Sequence, residues 1–254
     1  MVNRKLLLDS IEKEKRGTEY CYGKNDKELL KLLFNDINNT LGTNISYLAE
    51  VDAFVIPNSG PIIARYIKKF ESESVRGYLI PKIAHDKVED CDTIILDSYL
   101  HFKRSNEYIP DQGKPAPAHI YVRYDNAFAR IKPRTIKKEL LLLARNPRDA
   151  FYLPLTVRML SSWKTPELEN VLFSYIDGNN ITHAELGLPE QSDNYYPSVN
   201  SIRRELKINS LLNLKYYNSE RAIDLVVKHS NDTDKDIRLA AKKVLKYIHS
   251  HYID

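Results

Sequence analysis

The final stretch of the sequence, residues 219–251, constrains the fold more than any other. It predicts two amphipathic helices joined by a short acidic turn. One helical hairpin cannot bury its apolar stripe alone, so the pair needs neighbours of the same kind. The stretch therefore predicts an all-α chain built as an array of helical repeats. The apolar stripe of the second helix comprises Ile237, Ala240, Ala241, Val244, Leu245 and Ile248. Its polar side carries Lys235, Lys242, Lys243 and Lys246.

The ends of these two helices are also marked in the sequence. Thr233 and Asp236 predict a capping box, in which a hydroxyl accepts from free amides and a carboxylate lies at the positive helix end. The first helix is expected to begin at Asn218 or Ser219. Its predicted interior residues are Ala222, Ile223, Val226 and Val227.

Residues 232–245 resemble the turn and second helix of a HEAT-like repeat. They combine an acidic turn, the aliphatic–Arg pair Ile237–Arg238, and then small and large apolar residues. In that family the acidic turn and the arginine commonly form a ladder along the stack. The resemblance covers 219–251, and it implies a fold rather than a reaction. It implies an irregular HEAT-like α-solenoid of about five to six antiparallel helix pairs.

Aliphatic–Arg or Pro–Arg pairs recur earlier in the sequence, where the second helix of a repeat could begin. They are Val75–Arg76, Val122–Arg123, Pro147–Arg148 and Ile202–Arg203. Without the long loops 105–117 and 178–199, most spacings approach about 35 residues, within the HEAT-like range. The step from Arg123 to Arg148 stays short, and Val157–Arg158 offers a rival register. We expect one α-helical repeat domain over 1–254, with a softer division at the 105–117 loop.

Apolar periodicity predicts about 11–13 helices, counting the terminal hairpin. The other predicted helices are 3–16, 26–39, 61–71, 73–85, 91–104, 118–131, 134–145, 148–162, 166–175 and 199–215. Residues 45–56 fit a helix better than a strand. Pro81 lies inside a predicted helix and should bend it.

Composition is that of an ordinary globular protein, with 43% apolar and 28% charged residues. Cys21 and Cys91 are too few for a disulfide framework, which indicates a reducing compartment. The sequence lacks a run of about 18 apolar residues and an N-terminal apolar stretch long enough for secretion. We therefore expect a cytoplasmic protein that does not interact with membranes.

The sequence contains no strong catalytic motif, and we expect no catalytic residue, metal or cofactor. His249 and His251 are two residues apart, so they point to different faces of a helix. His85 and Asp86 lie at a helix end, where a histidine meets the helix dipole. Acidic neighbours of Cys91 disfavour its thiolate.

Charge is unevenly distributed along the chain. Residues 118–164 hold ten Lys or Arg against three acidic residues, whereas 165–202 hold no Lys or Arg. The basic block is a candidate site for an anion or nucleic acid, although a solvated face is the simpler alternative. The candidates are Arg130, Lys132, Arg134, Lys137, Lys138, Arg148 and Arg158.

The loop 178–199 is a candidate site for a basic partner protein, because long loops in repeat arrays are uncommon unless they function. Acidic groups can steer such a partner and tyrosines can anchor it. A merely solvated insertion is the alternative. The candidates are Glu185, Glu190, Asp193, Tyr195 and Tyr196.

These features favour a non-enzymatic, macromolecule-binding α-solenoid that serves foremost in protein–protein interaction. The alternative is a nucleic-acid-binding repeat protein similar to the alkylpurine DNA glycosylases, which place Trp, Asp and Arg on a concave basic surface. This chain offers Arg123, Asp125, Arg148, Asp149, Arg158 and Trp163 for that role. A single tryptophan is meagre for base stacking, and a net charge of +4 is low for a protein that neutralises many phosphates.

Overall fold

The computed structural model describes residues 4–16, 23–53, 56–105, 118–178, 181–188 and 198–252. Within these ranges all regular structure is helical and there is no strand, which confirms the all-α class. The α-helices are α1 (Arg4–Arg16), α2 (Lys24–Leu41), α3 (Leu48–Ala53), α4 (Gly60–Tyr66), α5 (Glu73–Asp86), α6 (Cys91–Arg104), α7 (Ala118–Ile131), α8 (Lys137–Arg145), α9 (Pro147–Tyr152), α10 (Pro154–Ser162), α11 (Pro166–Asp177), α12 (His183–Leu186), α13 (Val199–Asn213), α14 (Glu220–His229) and α15 (Lys235–Tyr252). Two 3-10 turns, Ile67–Lys69 and Leu214–Tyr216, follow α4 and α13.

The described residues contain fifteen α-helices, so the expected 11–13 is wrong. The predicted helix 148–162 is two helices, because Pro154 has no N–H to donate and begins α10 instead. The other additional helix, α12, lies inside the predicted loop 178–199, where Thr182 and Glu185 form a capping box.

The chain divides into two compact units, Met1–Thr135 and Ile136–Asp254. The boundary falls between α7 and α8, whereas most of the 105–117 loop lies outside the described residues. In unit 1, α1 packs on α3, α3 on α5 and α5 on α7. In unit 2, α11 packs on α13 and α13 on α15. Within each unit, alternate helices are therefore neighbours.

Aromatic rings fill the contact between α6 and α7 in unit 1. Their centroids lie 5.0 to 6.2 Å apart, within the range of favourable ring pairs. The rings belong to Tyr99, Phe102, Tyr121, Tyr124 and Phe128. The hydroxyls of Ser98 and Tyr124 lie 2.7 Å apart in the same interior.

Buried carboxylates hold helix starts in unit 1. Glu14 of α1 accepts hydrogen bonds from the N–H groups of Leu48 and Ala49, at 2.8 and 2.9 Å. Asp26 of α2 accepts from the N–H groups of Glu71 and Ser72, at 2.9 and 2.7 Å. Because the first N–H groups of a helix have no partner in the helix, Glu14 caps α3 from another helix. Asp26 instead fixes the two residues that precede α5, whose cap is the Ser72 side chain, which accepts from the N–H of Val75.

The terminal hairpin follows the predicted pattern in most respects. Ile237, Val244 and Ile248 are buried, and α13 packs on α15. Lys242, Lys243 and Lys246 are exposed as predicted. Ser219 caps α14 by accepting from the N–H of Ala222.

Three details of the hairpin differ from expectation. The cap of α15 is Asp234, which accepts from the N–H groups of Asp236 and Ile237, so the predicted Thr233–Asp236 capping box is wrong. Val227 is 50% exposed, because it lies beside rather than on the stripe that faces the core. Ile223 and Leu245 are only half-buried.

Arginines of the repeated pairs bind main-chain carbonyls. Arg238 donates to the carbonyl oxygens of Asp232 and Thr233, at 2.6 and 3.3 Å. The acidic side chains of that turn are bound instead by Arg204, whose guanidinium meets Asp234 and Asp236. The predicted ladder partner of the acidic turn is thus corrected from Arg238 to Arg204.

The same kind of contact occurs at three more pairs. Arg76 Nε donates to Phe70 O at 2.7 Å, Arg148 Nη1 to Leu186 O at 3.1 Å, and Arg203 Nε to Ile181 O at 2.8 Å. Arg123 differs, because its guanidinium lies 4.0 Å from the ring centroid of Tyr78.

Candidate cationic groove in unit 2

The predicted acidic site is only partly described. Glu185 lies in α12, where its carboxylate accepts from the N–H of Thr182 at 2.9 Å. Its first role is therefore to cap a helix. Four further candidates lie outside the described residues: Glu190, Asp193, Tyr195 and Tyr196.

The predicted basic candidates are divided between the units. Arg130, Lys132 and Arg134 belong to unit 1, and Lys137, Lys138, Arg148 and Arg158 belong to unit 2. Arg148 is 4% exposed and donates to the Leu186 carbonyl, so it lies in the interior and not on a surface open to a polyanion. Arg158 is exposed.

The parts of the expected glycosylase-like site are divided in the same way. Arg123 and Asp125 lie in unit 1, and the others lie in unit 2. Asp125 is 3% exposed and Asp149 is fully buried. Both carboxylates are therefore enclosed within their own units.

Arg158 lines a groove of about 440 Å³ in unit 2. α13 and the 3-10 turn after it pack against both α10 and α15, which form the two sides. The lining comprises Pro154, Leu155, Arg158, Asn209, Leu212, Asn213, Lys215, Lys243, Val244, Lys246, Tyr247 and Ser250.

Helical spacing explains how these side chains converge. On α15, Lys246, Tyr247 and Ser250 follow Lys243 by three, four and seven residues, so they lie on the same face as Lys243. On α10, positions 155 and 158 share a face for the same reason. Pro154 sets this register, because α10 begins there.

Every charged residue that lines the groove is a cation. In the part of the chain that the structure describes, Arg158, Lys215, Lys243 and Lys246 line it and no carboxylate does. Among the described residues, none of the four forms an ion pair. Other cations of unit 2 do have acidic partners, as Arg204 has in Asp234. The groove therefore has a positive potential that described side chains leave uncompensated.

The ammonium group of Lys215 lies near the rings of two tyrosines. Lys215 Nζ lies 4.9 Å from the ring centroid of Tyr216 and 5.8 Å from that of Tyr247. Burial raises the pKa of the Tyr216 phenol, but a hydrogen bond to Arg158 and the positive charges of Lys215 and Arg158 outweigh it and lower that pKa. Arg158 and Lys215 thus favour negative charge on the neighbouring Tyr216 phenol.

Apolar side chains make up the rest of the surface. Leu155 is 39% exposed at the groove, and Pro154, Leu212 and the Tyr247 ring lie beside it. The ring of Tyr247 is stacked on that of His251, with centroids 4.0 Å apart. The arrangement can hold an anionic group and an apolar side chain together.

Sequence reasoning identified Arg158 but not the other groove cations. The amphipathic pattern assigns the lysines of α15 only to the polar side of the helix. The signal that could have singled them out is the combination of Lys243, Lys246, Tyr247 and Ser250 on one face. Lys215 lies in a 3-10 turn, where helical periodicity gives no information about the direction of its side chain.

Cys91 is not activated as a nucleophile. Burial and the negative charge of Asp92 raise the pKa of the Cys91 thiol, which opposes nucleophilic use of that side chain. Among the described residues, no group of three or more His, Cys, Asp or Glu is placed to hold a metal ion. In the same part of the chain, every helix is too short or too polar to cross a membrane. No protein-family model matches this sequence, and neither does any curated protein or solved structure.

Proposed function

We propose that this chain is a non-enzymatic binding protein whose unit 2 groove holds an acidic segment of another protein. The observation that carries the proposal is the convergence of four cations on a groove whose described lining contains no carboxylate. Like charges held close together raise the free energy of the unoccupied site, and an anionic ligand relieves that cost.

The lining favours a protein segment over nucleic acid. Leu155, Leu212 and Tyr247 offer apolar surface to a leucine or aromatic side chain of the partner, as in the centre of a protein interface. A nucleic acid instead needs a continuous cationic track for its phosphates.

The scaffold that we propose for this role is a HEAT-like arrangement of helices within each unit. Two observations support it. Alternate helices pack on each other in both units, which is how repeats stack. In addition, arginines at four of the five aliphatic–Arg or Pro–Arg pairs donate to main-chain carbonyls. A shared contact of this kind is expected if the pairs occupy the same position in successive repeats.

The proposal is tested with a fluorescein-labelled peptide of alternating Glu and Leu residues, by fluorescence anisotropy. We expect saturable binding that weakens as salt rises, because surface charge is screened. Replacing both Lys243 and Lys246 by Ala should weaken binding at least about tenfold, or about 1.4 kcal/mol.

Lys242→Ala is the matched control, because Lys242 is exposed on the same helix but does not line the groove. It should leave the affinity nearly unchanged. If it weakens binding as much as Lys243→Ala does, the groove has no special role and the proposal fails. If a single-stranded oligonucleotide of equal net charge binds more tightly than the peptide, nucleic-acid binding replaces protein binding as the function.

A further inference from the structure

A second cavity, of about 480 Å³, lies in unit 1 and is independent of the groove. Its walls are α5 and α7, which pack on each other. Residues of α5 and α7 that line it are Pro81, Lys82, Ala84, His85, Asp86, Asn126, Ala127, Ala129 and Arg130. Ile56 completes the lining. The volume is within the range of small-molecule sites, about 300–1,000 Å³.

The imidazole of His85 has a fixed orientation in this cavity. Its Nδ1 lies 2.9 Å from Asp86 Oδ1, and Asp86 Oδ2 accepts from the N–H of Gly60 at 2.7 Å. The Asp86 side chain is only 10% exposed, so this carboxylate is held on both oxygens. A carboxylate that accepts from Nδ1–H fixes the tautomer of the neutral ring and leaves Nε2 as an acceptor.

Gly60 shows how tightly Asp86 is held. A Cβ at position 60 would lie 2.9 Å from Asp86 Cβ and 2.9 Å from the Lys82 carbonyl oxygen. The start of α4 can therefore approach the end of α5 this closely only without a side chain. Asp86 is positioned by the backbone of another helix, and His85 is positioned by Asp86.

Three polar groups of the cavity keep unused hydrogen-bonding capacity. Among the described residues, His85 Nε2 has no partner and Arg130 has neither a hydrogen bond nor an ion pair. Asn126 donates from Nδ2 to the Val122 carbonyl at 2.8 Å, and its Oδ1 has no described donor. The lining thus combines two cations, Arg130 and Lys82, with two hydrogen-bond acceptors that have no described donor. Its one carboxylate, Asp86, is already bound on both oxygens by His85 and Gly60.

This combination specifies the chemistry of a ligand. A guanidinium binds phosphate through two parallel N–H donors. The acceptors His85 Nε2 and Asn126 Oδ1 require donors such as hydroxyl groups. Positions 126 and 130 lie one helical turn apart on α7, so the cation and the amide share a face.

We propose that the cavity of unit 1 binds a small phosphorylated polyol. Arg130 holds the phosphate, and His85 Nε2 and Asn126 Oδ1 accept from its hydroxyl groups. Asp86 is a positioning residue that acts through the imidazole. The proposal goes beyond the groove of unit 2 and does not depend on it.

The test is isothermal titration calorimetry with glycerol 3-phosphate, inorganic phosphate and glycerol as probes. The full chain carrying both Lys243→Ala and Lys246→Ala is used, so that phosphate binding in the unit 2 groove does not contribute. We expect glycerol 3-phosphate to bind at least about tenfold more tightly than either fragment. Equal binding of glycerol 3-phosphate and phosphate would overturn the proposal.

Three substitutions separate the roles of the residues. Arg130→Met should abolish binding of both phosphate probes, and because Arg130 is exposed the fold should be kept. Asn126→Asp places a negative charge beside the phosphate and should also weaken binding. In Asp86→Asn the side-chain amide donates to His85 Nδ1, so the imidazole proton moves to Nε2. The variant should lose the preference for glycerol 3-phosphate over phosphate, and phosphate binding should remain.

Lys132→Met is the control, since Lys132 is an exposed cation of the same cluster that does not line the cavity. Its affinities should match those of the parent chain. If Arg130→Met also matches the parent chain, Arg130 holds no phosphate and the proposal is rejected. A loss of thermal stability in Asp86→Asn with an unchanged preference among the probes would show that the His85–Asp86 pair only supports the fold.

Discussion

Arg204 and Asp234 illustrate how single residues serve two purposes in unit 2. The guanidinium of Arg204 lies with its Nε 2.6 Å from Asp234 Oδ2 and its Nη2 2.5 Å from Asp236 Oδ2. Asp234 also caps α15 through the N–H groups of Asp236 and Ile237. The hydrogen bond from Arg204 lowers the pKa of Asp234 from 3.8 to about 2.

The lowered pKa predicts a pH dependence of stability. Because the folded pKa lies below the unfolded one, the carboxylate of Asp234 stabilises the fold above pH 3.8, and this contribution is lost as pH falls through about 2. Asp234→Asn keeps a capping oxygen and removes the charge. We expect it to lower Tm at neutral pH, with a smaller difference from the wild type as the pH approaches 2.

Asp224→Asn serves as the control, because Asp224 is exposed on α14 and has no partner among the described residues. Its Tm should follow that of the wild type at every pH. A Tm difference for Asp234→Asn that stays constant down to pH 2 would contradict the assigned pKa. Circular dichroism melts over the pH series measure both variants.

At the scale of elements, two adjacent valines show which helix face points inward. Val226 of α14 is fully buried, whereas Val227 is 50% exposed. On α15, Val244 is 1% exposed and belongs to the stripe that packs on α13. The core of the terminal hairpin therefore depends on register along each helix and not on apolar character alone.

Val244→Asp tests this register. It places an unpaired carboxylate in the packed interior and should cost about 3–5 kcal/mol in free energy of unfolding. Val227→Asp makes the same chemical change at an exposed position and should cost less than about 1 kcal/mol. Urea denaturation measures both, and similar midpoints for the two variants would show that the assigned register is wrong.

Element positions were largely predictable from the sequence. Predicted helices 91–104 and 118–131 match α6 and α7, because strong apolar periodicity and flanking loops define them. The division at Pro154 does not follow from proline alone, because Pro81 lies inside α5 whereas Pro154 begins α10. Side-chain caps from other helices, such as the Glu14 cap of α3, depend on tertiary contacts that periodicity does not contain.

The candidate sites were less predictable than the helices. Arg158 and Arg130 were identified from the density of basic residues, and each lines a cavity. Their neighbours there, including Lys243 and His85, come from helices distant in sequence. Convergence of this kind is a property of packing, so a linear pattern cannot reveal it.

At the scale of the whole molecule, the chain consists of two units, each with its own core. In unit 2 the buried residues include Leu172, Leu206 and Val226, from α11, α13 and α14. We predict that residues 136–254 expressed alone fold with a cooperative thermal transition, because an internal core of this kind stabilises a domain by itself. Calorimetry and circular dichroism would measure it.

Leu172→Asp in the same fragment is the comparison, since Leu172 is fully buried. This variant should lose the cooperative transition. A broad, gradual melt of the unaltered fragment would show that unit 2 does not fold by itself. The fragment should also bind the acidic peptide, because every residue that lines the groove lies within it.

The arginine–carbonyl contacts have a consequence for how such a chain can change over generations. Every amino acid supplies the same main-chain oxygen, so the loop residue that accepts from Arg76, Arg203 or Arg238 can be substituted without loss of the contact. The arginine cannot be exchanged so freely, because lysine lacks the rigid planar fork of donors. The hydrogen bond therefore places no demand on the side chain of the accepting residue. At Phe70 and Ile181 that side chain is constrained by burial instead, with 0% and 2% exposed.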